Sequence, residues 1–163
     1  MAERFTLFWD GPFSQWTESP FSLDGVAYNT AEQFMMAEKA RLFGDAATLG
    51  RILEALQPWD QKELGRRVAG FDEAVWRRHA RDIVYRGSRA KFTAHPDLLA
   101  ILMDTAGTTL VEASPVDRIW GIGLSREDPR AQDRSHWRGT NWLGETLTRL
   151  RDDLIAQGRS VRG

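Results

Sequence analysis

The spacing of apolar and polar residues predicts a short extended segment at the start of the chain, followed mostly by helices. The Asp24-Gly25 pair lies between two short runs of alternating apolar residues. It predicts a β-hairpin, because both central positions of the tightest hairpin turns need positive φ. Further strands are predicted for residues 5–9, 109–113 and 118–122.

Helix start and stop signals account for most of the remaining chain. Thr30 and Gln33 have the spacing of a capping box, so a helix should begin at about Ala31 and end near Gly44. Other helices are predicted for residues 46–57, 60–67, 73–92, 96–106 and 141–155. We expect a mainly α fold, a single multihelical domain over residues 1–157, with a small β element and a frayed tail over residues 158–163. The β element comprises the N-terminal hairpin and the short strands near 109–123.

Composition narrows the class of protein. The chain has 163 residues, of which 42% are hydrophobic and 28% charged, a balance typical of one globular domain. Its net charge of −1 gives no general attraction to nucleic acid, so that contact is left open but unsupported. No apolar run approaches the ~20 residues that span a bilayer, so no membrane partner is expected.

Several kinds of reactive site are excluded. Cysteine is absent, which rules out disulfides, cysteine nucleophiles and thiolate metal sites and fits a cytoplasmic location. The three histidines, His79, His95 and His136, share no ligand spacing, so no metal site is expected. The sequence also has no phosphate-binding loop that ends in Gly-Lys-Ser/Thr.

Charged residues occupy helix faces that should be apolar. At 100° per residue, Glu32, Met36, Lys39 and Phe43 fall on one narrow stripe of the helix that begins at Ala31. Glu32 and Lys39 lie two turns apart, roughly 10 Å along the axis, which suits two groups that flank a small ligand. The alternative is a solvated face with Met36 and Phe43 half exposed.

Two further segments combine charge with small or aromatic residues. Gly87 and Lys91 share a face of helix 73–92, where Lys91 either extends its stem to solvent or points into a pocket. Asp117 and Trp120 lie next to glycines that would let a flat ligand approach the backbone. Of the seven tryptophans, two are expected to be structural, Trp59 and Trp76. The other five lie in or beside loops, where an indole can stack on a ligand, namely Trp9, Trp16, Trp120, Trp137 and Trp142.

Several short motifs, in the order in which they occur along the chain, resemble those of the NADAR family of YbiA-like N-glycosidases. The resemblance covers about residues 8–154, and each motif alone is weak while the ordered set is specific. The motifs are Phe13-Ser14-Gln15-Trp16, the hairpin 21–28 with Thr30-Ala31-Glu32-Gln33, Ala37-Glu38-Lys39-Ala40, Arg89-Ala90-Lys91-Phe92, Leu110-Val111-Glu112-Ala113-Ser114, Asp117-x-x-Trp120-Gly121-Ile122-Gly123 and Gly139-x-Asn141-x-Leu143-Gly144.

The resemblance implies a small multihelical cytoplasmic enzyme that needs no cofactor and hydrolyses an N-glycosidic bond on a phosphorylated ribose. One branch of the family resembles an enzyme that splits phosphoribosylamino-pyrimidine intermediates of riboflavin synthesis into base and ribose 5-phosphate. Another branch removes ADP-ribose from guanine. The partner would thus be a small phosphoribosyl or ADP-ribosyl substrate. The implied catalytic residues are Glu32, Lys39 and Asp117, and the implied substrate-binding residues are Trp16, Arg89, Lys91, Trp120, Trp137 and Asn141.

The chemistry of the reaction leaves some roles open. Breaking a glycosyl C–N bond leaves positive charge on the sugar, which Glu32 or Asp117 can stabilise. Lys39 either binds phosphate or, with a pKa lowered by burial, attacks the opened sugar. Two other functions remain as alternatives, a non-catalytic module that binds ADP-ribose or a nucleotide and a purely structural domain. We expect the charged groups to line one concavity.

The chain departs from the family pattern at three places. Gln33 stands where histidine is common, and Met35 and Met36 stand where aromatic residues are common, which predicts a changed substrate shape. An arginine-rich stretch precedes Trp137 and predicts added contacts with phosphate or nucleic acid.

Overall fold

The computed structural model describes residues 2–162, with side chains described for residues 2–158. Over these residues it is mainly α with a small amount of β-sheet, as the sequence predicts. The helices are α1 (Ala31–Leu42), α2 (Ala46–Glu54), α3 (Pro58–Arg66), α4 (Glu73–Ala94), α5 (Pro96–Met103) and α6 (Trp142–Arg162). The strands are β1 (Phe5–Phe8), β2 (Phe21–Leu23), β3 (Val26–Tyr28) and β4 (Thr109–Glu112). Short 3-10 turns lie at Gly11–Phe13, Pro129–Gln132 and Arg134–His136.

The chain folds into two compact units. We call residues 15–95 the central unit, because it is continuous in sequence, and we call residues 2–14 together with 96–162 the terminal unit. Each is described by itself, and the single domain expected over residues 1–157 stays a prediction. No helix in the described part of the chain has the length and apolar character needed to cross a membrane.

The central unit begins with the predicted hairpin. Strands β2 and β3 pair antiparallel, with Phe21 opposite Tyr28. Asp24 and Gly25 have φ of 51° and 79°, so both turn residues adopt the left-handed conformation that the Asp-Gly pair predicts. Phe21 and Tyr28 pack against the ring of Phe34 on α1, which attaches the hairpin to the helices.

The predicted start of α1 at Ala31 is confirmed with Thr30 as its N-cap, but the returning bond of the predicted capping box involves Asn29 instead of Thr30. The Thr30 hydroxyl accepts a hydrogen bond from the Gln33 N–H at 3.0 Å, and the Gln33 side chain accepts one from the Asn29 N–H at 2.8 Å. The Gln33 amide also donates to the carbonyl groups of Ile52 and Ala55 at the end of α2. Gln33 is therefore a buried link between α1 and α2, and its contacts in this chain are those of a structural residue.

Two glycines explain how closely the helices of the central unit approach each other. A Cβ on Gly65 of α3 would overlap the Met36 side chain of α1. A Cβ on Gly87 of α4 would overlap the Phe34 ring. The glycine at position 87 therefore makes room for a core side chain, the Phe34 ring.

The terminal unit is built on a parallel strand pair. Strands β1 and β4 run in the same direction, from Phe5 opposite Thr109 to Phe8 opposite Glu112. Helix α6 lies along β4, where the Leu110 N–H donates to the Thr148 hydroxyl at 2.9 Å. The core beside this pair is apolar and consists of Val111, Ile122, Leu124 and Ala131.

Several predicted boundaries differ from the structure, among them the end of α5, which is at Met103 instead of near residue 106. The strand predicted at residues 118–122 is wrong, because the Asp117 carboxylate accepts hydrogen bonds from the N–H groups of Ile119 and Trp120 and folds this segment into a turn. Helix α2 ends at Glu54. Helix α6 continues to Arg162 instead of ending near residue 155. The frayed tail expected over residues 158–163 stays a prediction, and Gly163 lies outside the described residues.

Candidate functional site

Glu32 is fixed at the start of α1 in the central unit. Glu32 is only 5% exposed, and its backbone N–H donates to the Gln15 carbonyl at 3.0 Å. Met36, one turn along the same face, is also buried and packs against Gly65. The alternative of a solvated face is therefore wrong for Glu32 and Met36, although Phe43 is partly exposed as that alternative expects. The Glu32 carboxylate is thus largely removed from water.

Lys39 lies one further turn along this face and is half-buried. Its Nζ lies 4.6 Å from the ring centroid of Phe71 and 5.5 Å from that of Trp76. Burial lowers the pKa of the Lys39 amine below its ordinary value, while the Glu32 carboxylate acts in the opposite direction and Arg66 adds to the lowering. The Lys39 amine thus lies beside two aromatic rings, and its charge interacts with that of the Glu32 carboxylate.

Lys91 on α4 is the second buried amine of the central unit. The residue is 1% exposed, so its stem does not extend to solvent. Burial lowers the pKa of Lys91 to about 7, which leaves comparable fractions of charged and neutral amine at neutral pH. Arg89, two residues earlier, is half-buried.

Trp16 lies on the surface close to the start of α1. It is 39% exposed, and its ring centroid lies 6.3 Å from that of Trp59 in an edge-to-face arrangement. The Lys62 amine lies 5.7 Å from the centroid of the Trp16 ring. Trp59 is 58% exposed and lies outside the core, and its expected structural role stays a prediction.

Asp117 and Trp120 belong to the loop that follows β4 in the terminal unit. The Asp117 carboxylate accepts hydrogen bonds through one oxygen, Oδ1, from the Ile119 and Trp120 N–H groups at 2.9 and 2.8 Å. Its own N–H donates to the Ser114 hydroxyl at 2.9 Å. Trp120 is half-buried and packs edge-to-face on Trp142, with ring centroids 5.6 Å apart. The loop therefore presents one carboxylate oxygen, Oδ2, and part of an indole.

Asn141 and Trp137 are engaged by the terminal unit itself. The fully buried Asn141 side chain accepts from the Glu112 N–H at 2.9 Å and donates to the Leu110 carbonyl at 3.0 Å. The Trp137 indole donates to the Ala131 carbonyl at 2.8 Å, and its ring packs on Phe5. Both side chains thus have structural partners, and their predicted contacts with substrate stay predictions.

The structure therefore places the predicted site residues in both units. The central unit contains Trp16, Glu32, Lys39, Arg89 and Lys91, and the terminal unit contains Asp117, Trp120, Trp137 and Asn141. Trp76 was missed as a neighbour of Lys39, because the two residues lie on different helices and no spacing in the sequence connects them. Among the described residues, no three His, Asp or Glu side chains are grouped so that they would hold a metal ion.

Comparison with known proteins adds evidence on the family. The NADAR domain model matches residues 7–155. The chain belongs to the NADAR family. It is similar to N-glycosidase R617 of Acanthamoeba polyphaga mimivirus, with 43% identity over 146 residues that cover 86% of each chain. It is also similar to N-glycosidase YbiA of Escherichia coli strain K12, with 30% identity over 90% of this chain and 83% of YbiA.

A solved structure and a plant protein extend the comparison. The NMR structure of E. coli YbiA has a TM-score of 0.79 to this chain at 28% identity, over 97% of this chain and 89% of YbiA, which confirms the fold class. The chloroplastic riboflavin biosynthesis protein PYRR of Zea mays is 32% identical over 93% of this chain, but the aligned part is only 25% of that protein.

Proposed function

We propose that this NADAR chain hydrolyses the N-glycosidic bond of a phosphoribosyl substrate and that Glu32 and Lys39 carry the chemistry. Its enzyme class is that of its family, a hydrolase that acts on N-glycosyl bonds, since R617 and YbiA are both named N-glycosidases. One observation supports the two residues most. A buried carboxylate and an amine of lowered pKa lie on the same face of α1.

Glu32 suits the stabilisation of the transition state. When the C–N bond breaks, positive charge develops on the sugar ring. A carboxylate that has already lost its water interacts with such a charge more strongly than a solvated one, and it needs no reorganisation during the reaction. In this proposal the departing base takes a proton, and Asp117 is the second carboxylate available for acid or base catalysis.

Lys39 suits the role of an amine nucleophile. A lowered pKa increases the neutral fraction, and only the neutral amine attacks an electrophilic carbon. As the base leaves with a proton, Nζ bonds to C1 in its place, and opening of the sugar ring converts this adduct into an imine. Hydrolysis of the imine by one water molecule returns the amine and frees ribose 5-phosphate. The alternative role, binding of phosphate by the charged amine, remains in the proposal because it needs the same position.

Lys91 and Arg89 would bind the phosphate in this scheme. With a pKa of about 7, Lys91 takes up a proton when a phosphate dianion binds, because an adjacent negative charge favours the protonated form. Trp120 would stack on the base, as the family resemblance implies. We also propose that the reaction takes place in the cytoplasm.

For the substrate, we favour a phosphoribosylamino-pyrimidine of riboflavin synthesis. The name of the plant relative, riboflavin biosynthesis protein PYRR, supports this choice. ADP-ribosylated guanine is the second candidate. The exposed pair Trp16 and Trp59, with Lys62 beside it, favours this larger substrate, because the pair offers aromatic surface for a second nucleobase.

The test is to incubate the purified protein with each candidate substrate and to measure the free base. We expect Glu32→Gln to lower turnover at least about 100-fold, the usual range for acid–base and charge-stabilising groups. Glu38→Gln is the matched control, since Glu38 lies on the same helix and pairs with Arg41 at 3.2 Å. If the wild type bound a substrate tightly without releasing the base, the proposed hydrolysis would be refuted in favour of a binding module.

Lys39 needs a separate test. Borohydride added during turnover should reduce the imine and leave a covalent adduct on Lys39, which peptide mass spectrometry locates. The adduct should be absent from Lys39→Met and present in Lys91→Met. An adduct on Lys91, or none in an active enzyme, would refute the nucleophilic role of Lys39.

A further inference from the structure

Two aromatic rings beside the Lys39 amine come from one corner of the central unit. The Lys39 Nζ lies 4.6 Å from the centroid of the Phe71 ring and 5.5 Å from that of the Trp76 ring. Phe71 belongs to residues 67–72, which connect α3 with α4 and which we call the α3–α4 loop. Trp76 lies near the start of α4. A single short segment of the chain therefore brings both rings to the amine.

Hydrogen bonds fix the α3–α4 loop on both sides of Phe71. Before the ring, the Ala69 N–H donates to the Asp45 Oδ2 at 2.9 Å, while the other oxygen of this carboxylate caps α2. After the ring, the Asp72 carboxylate caps α4 by accepting from the Val75 N–H at 3.1 Å. The path of the loop is thus set by α2 and α4, and the position of the Phe71 ring follows from it.

The Phe71 ring lies at the surface, across the end of α1. Phe71 is 46% exposed, and its ring packs edge-to-face on that of Phe43, the C-terminal cap of α1, with centroids 5.5 Å apart. Lys39 lies in the last turn of the same helix. At 4.6 Å from the centroid, the amine and the ring are close to van der Waals contact, which leaves no space for water between them. The ring therefore excludes water from one side of Nζ.

The rings and the loss of water act on the amine in opposite directions. Burial lowers the pKa of Lys39 and is the largest effect, Glu32 on α1 raises this pKa, and Arg66 on α3 lowers it. An aromatic ring favours the charged amine through a cation–π interaction. An aromatic cover thus removes water but still stabilises the cation in part, whereas an aliphatic cover removes water without that compensation.

We infer that Phe71 is a positioning residue whose ring, held by the α3–α4 loop, covers the Lys39 amine and fixes it for attack on the sugar. This inference rests on the proposed nucleophilic role of Lys39. The ring restricts the long lysine side chain to few positions, and a nucleophile that is already placed reacts faster than a mobile one. Trp76 adds a second ring from α4. Asp45 acts one step further away, because its carboxylate holds the loop.

The first experiment measures the protonation of Lys39 without any substrate. Acetic anhydride acetylates neutral amines, and peptide mass spectrometry follows the labelling of each of the three lysines against pH. We expect Phe71→Ala to move the labelling midpoint of Lys39 to higher pH, because water reaches the amine and favours its charged form. Phe71→Leu should leave the midpoint at or below that of the wild type, since leucine keeps the cover but has no aromatic face.

Two further variants complete this experiment. Leu56→Ala is the control, because it shortens an apolar side chain of the central unit that is 73% exposed, and the Lys39 midpoint should not move. Asp45→Asn tests the loop, since asparagine still caps a helix but has one acceptor oxygen instead of two, so the bond from Ala69 is lost. Its midpoint should move in the same direction as that of Phe71→Ala. An unchanged midpoint in folded Phe71→Ala would overturn the inference, and Asp45→Asn decides in its place if Phe71→Ala does not fold.

The second experiment is the base-release assay, and it separates this inference from the proposed function. Phe71→Ala should lower kcat about tenfold and leave KM within about threefold, and Phe71→Leu should restore kcat to within about threefold of the wild type. A merely structural residue would lower stability without this difference between kcat and KM. Full kcat in Phe71→Ala, with an imine still trapped on Lys39 in the wild type, would refute the positioning role and leave the proposed function intact. A shifted labelling midpoint without any trapped imine in the active wild type would support the cover over the amine and refute the nucleophilic role of Lys39.

Discussion

Replacing Lys91 by methionine should stabilise the protein at neutral pH. Lys91 is 1% exposed, and burial lowers its pKa from 10.5 to about 7. In the unfolded chain the same amine keeps its ordinary pKa. Each tenfold change in proton affinity corresponds to about 1.4 kcal/mol, so retaining this amine in the fold opposes folding by on the order of 5 kcal/mol at low pH. Methionine fills a similar volume without a charge.

The sign of the pH dependence follows from linkage. Between pH 7 and 10.5 the unfolded state binds a proton at Lys91 that the folded state does not, so the free energy of unfolding rises with pH. Below pH 7 the destabilisation is fully present, and above pH 10.5 it has disappeared. The advantage of Lys91→Met over the wild type should therefore shrink by about 2.5 kcal/mol between about pH 7.5 and 9.5.

Urea unfolding followed by tryptophan fluorescence measures this difference at each pH. The difference between wild type and Lys91→Met isolates Lys91 from all other groups that titrate in this range. Lys62→Met is the matched control, because it removes the same charge at a residue that is only partly buried. Parallel pH profiles for the wild type and Lys91→Met would show that the amine is not held out of water, and the burial argument would fail.

Three other substitutions test the packing. Asn141→Ala should lower the free energy of unfolding by about 2–4 kcal/mol, because it leaves two buried backbone groups of β4 unpaired, and a change below about 1 kcal/mol would contradict this. Gly87→Ala should lower it by about 1–3 kcal/mol, since the new Cβ overlaps Phe34, and a neutral result would show that the helices separate easily. Thr30→Ala should lower the melting temperature through about 1 kcal/mol of lost capping, and an unchanged temperature would argue against the cap.

Local signals explain which parts of the fold could be predicted. The Asp24-Gly25 turn and the Thr30 cap depend on residues within four positions of each other, and both are confirmed. The strand predicted at residues 118–122 is wrong, and the cause is again a local interaction. Its β-forming residues compete with Asp117, whose carboxylate bonds two N–H groups that a strand would pair elsewhere.

Contacts between distant segments explain what the sequence could not predict. Trp76 lies beside Lys39 only because α1 and α4 pack together, and the exposure of Trp59 depends on which face of α3 is turned outward. Strand β1 pairs in parallel with β4, about 100 residues later in the chain. The sequence predicted both strands, but no residue pattern predicted their pairing.

Buried polar groups in this chain fall into two kinds, and the difference separates structure from function. Gln33 and Asn141 are buried with donors and acceptors matched to backbone groups, so they stabilise the fold. The lowered pKa values of Lys39 and Lys91 follow from burial, which disfavours the charged amine. We expect an apolar residue to serve folding better at position 91. Residues that lower stability in this way are those that a ligand or a reaction requires, which is why the two lysines are stronger candidates for function than any side chain whose hydrogen bonds the fold already satisfies.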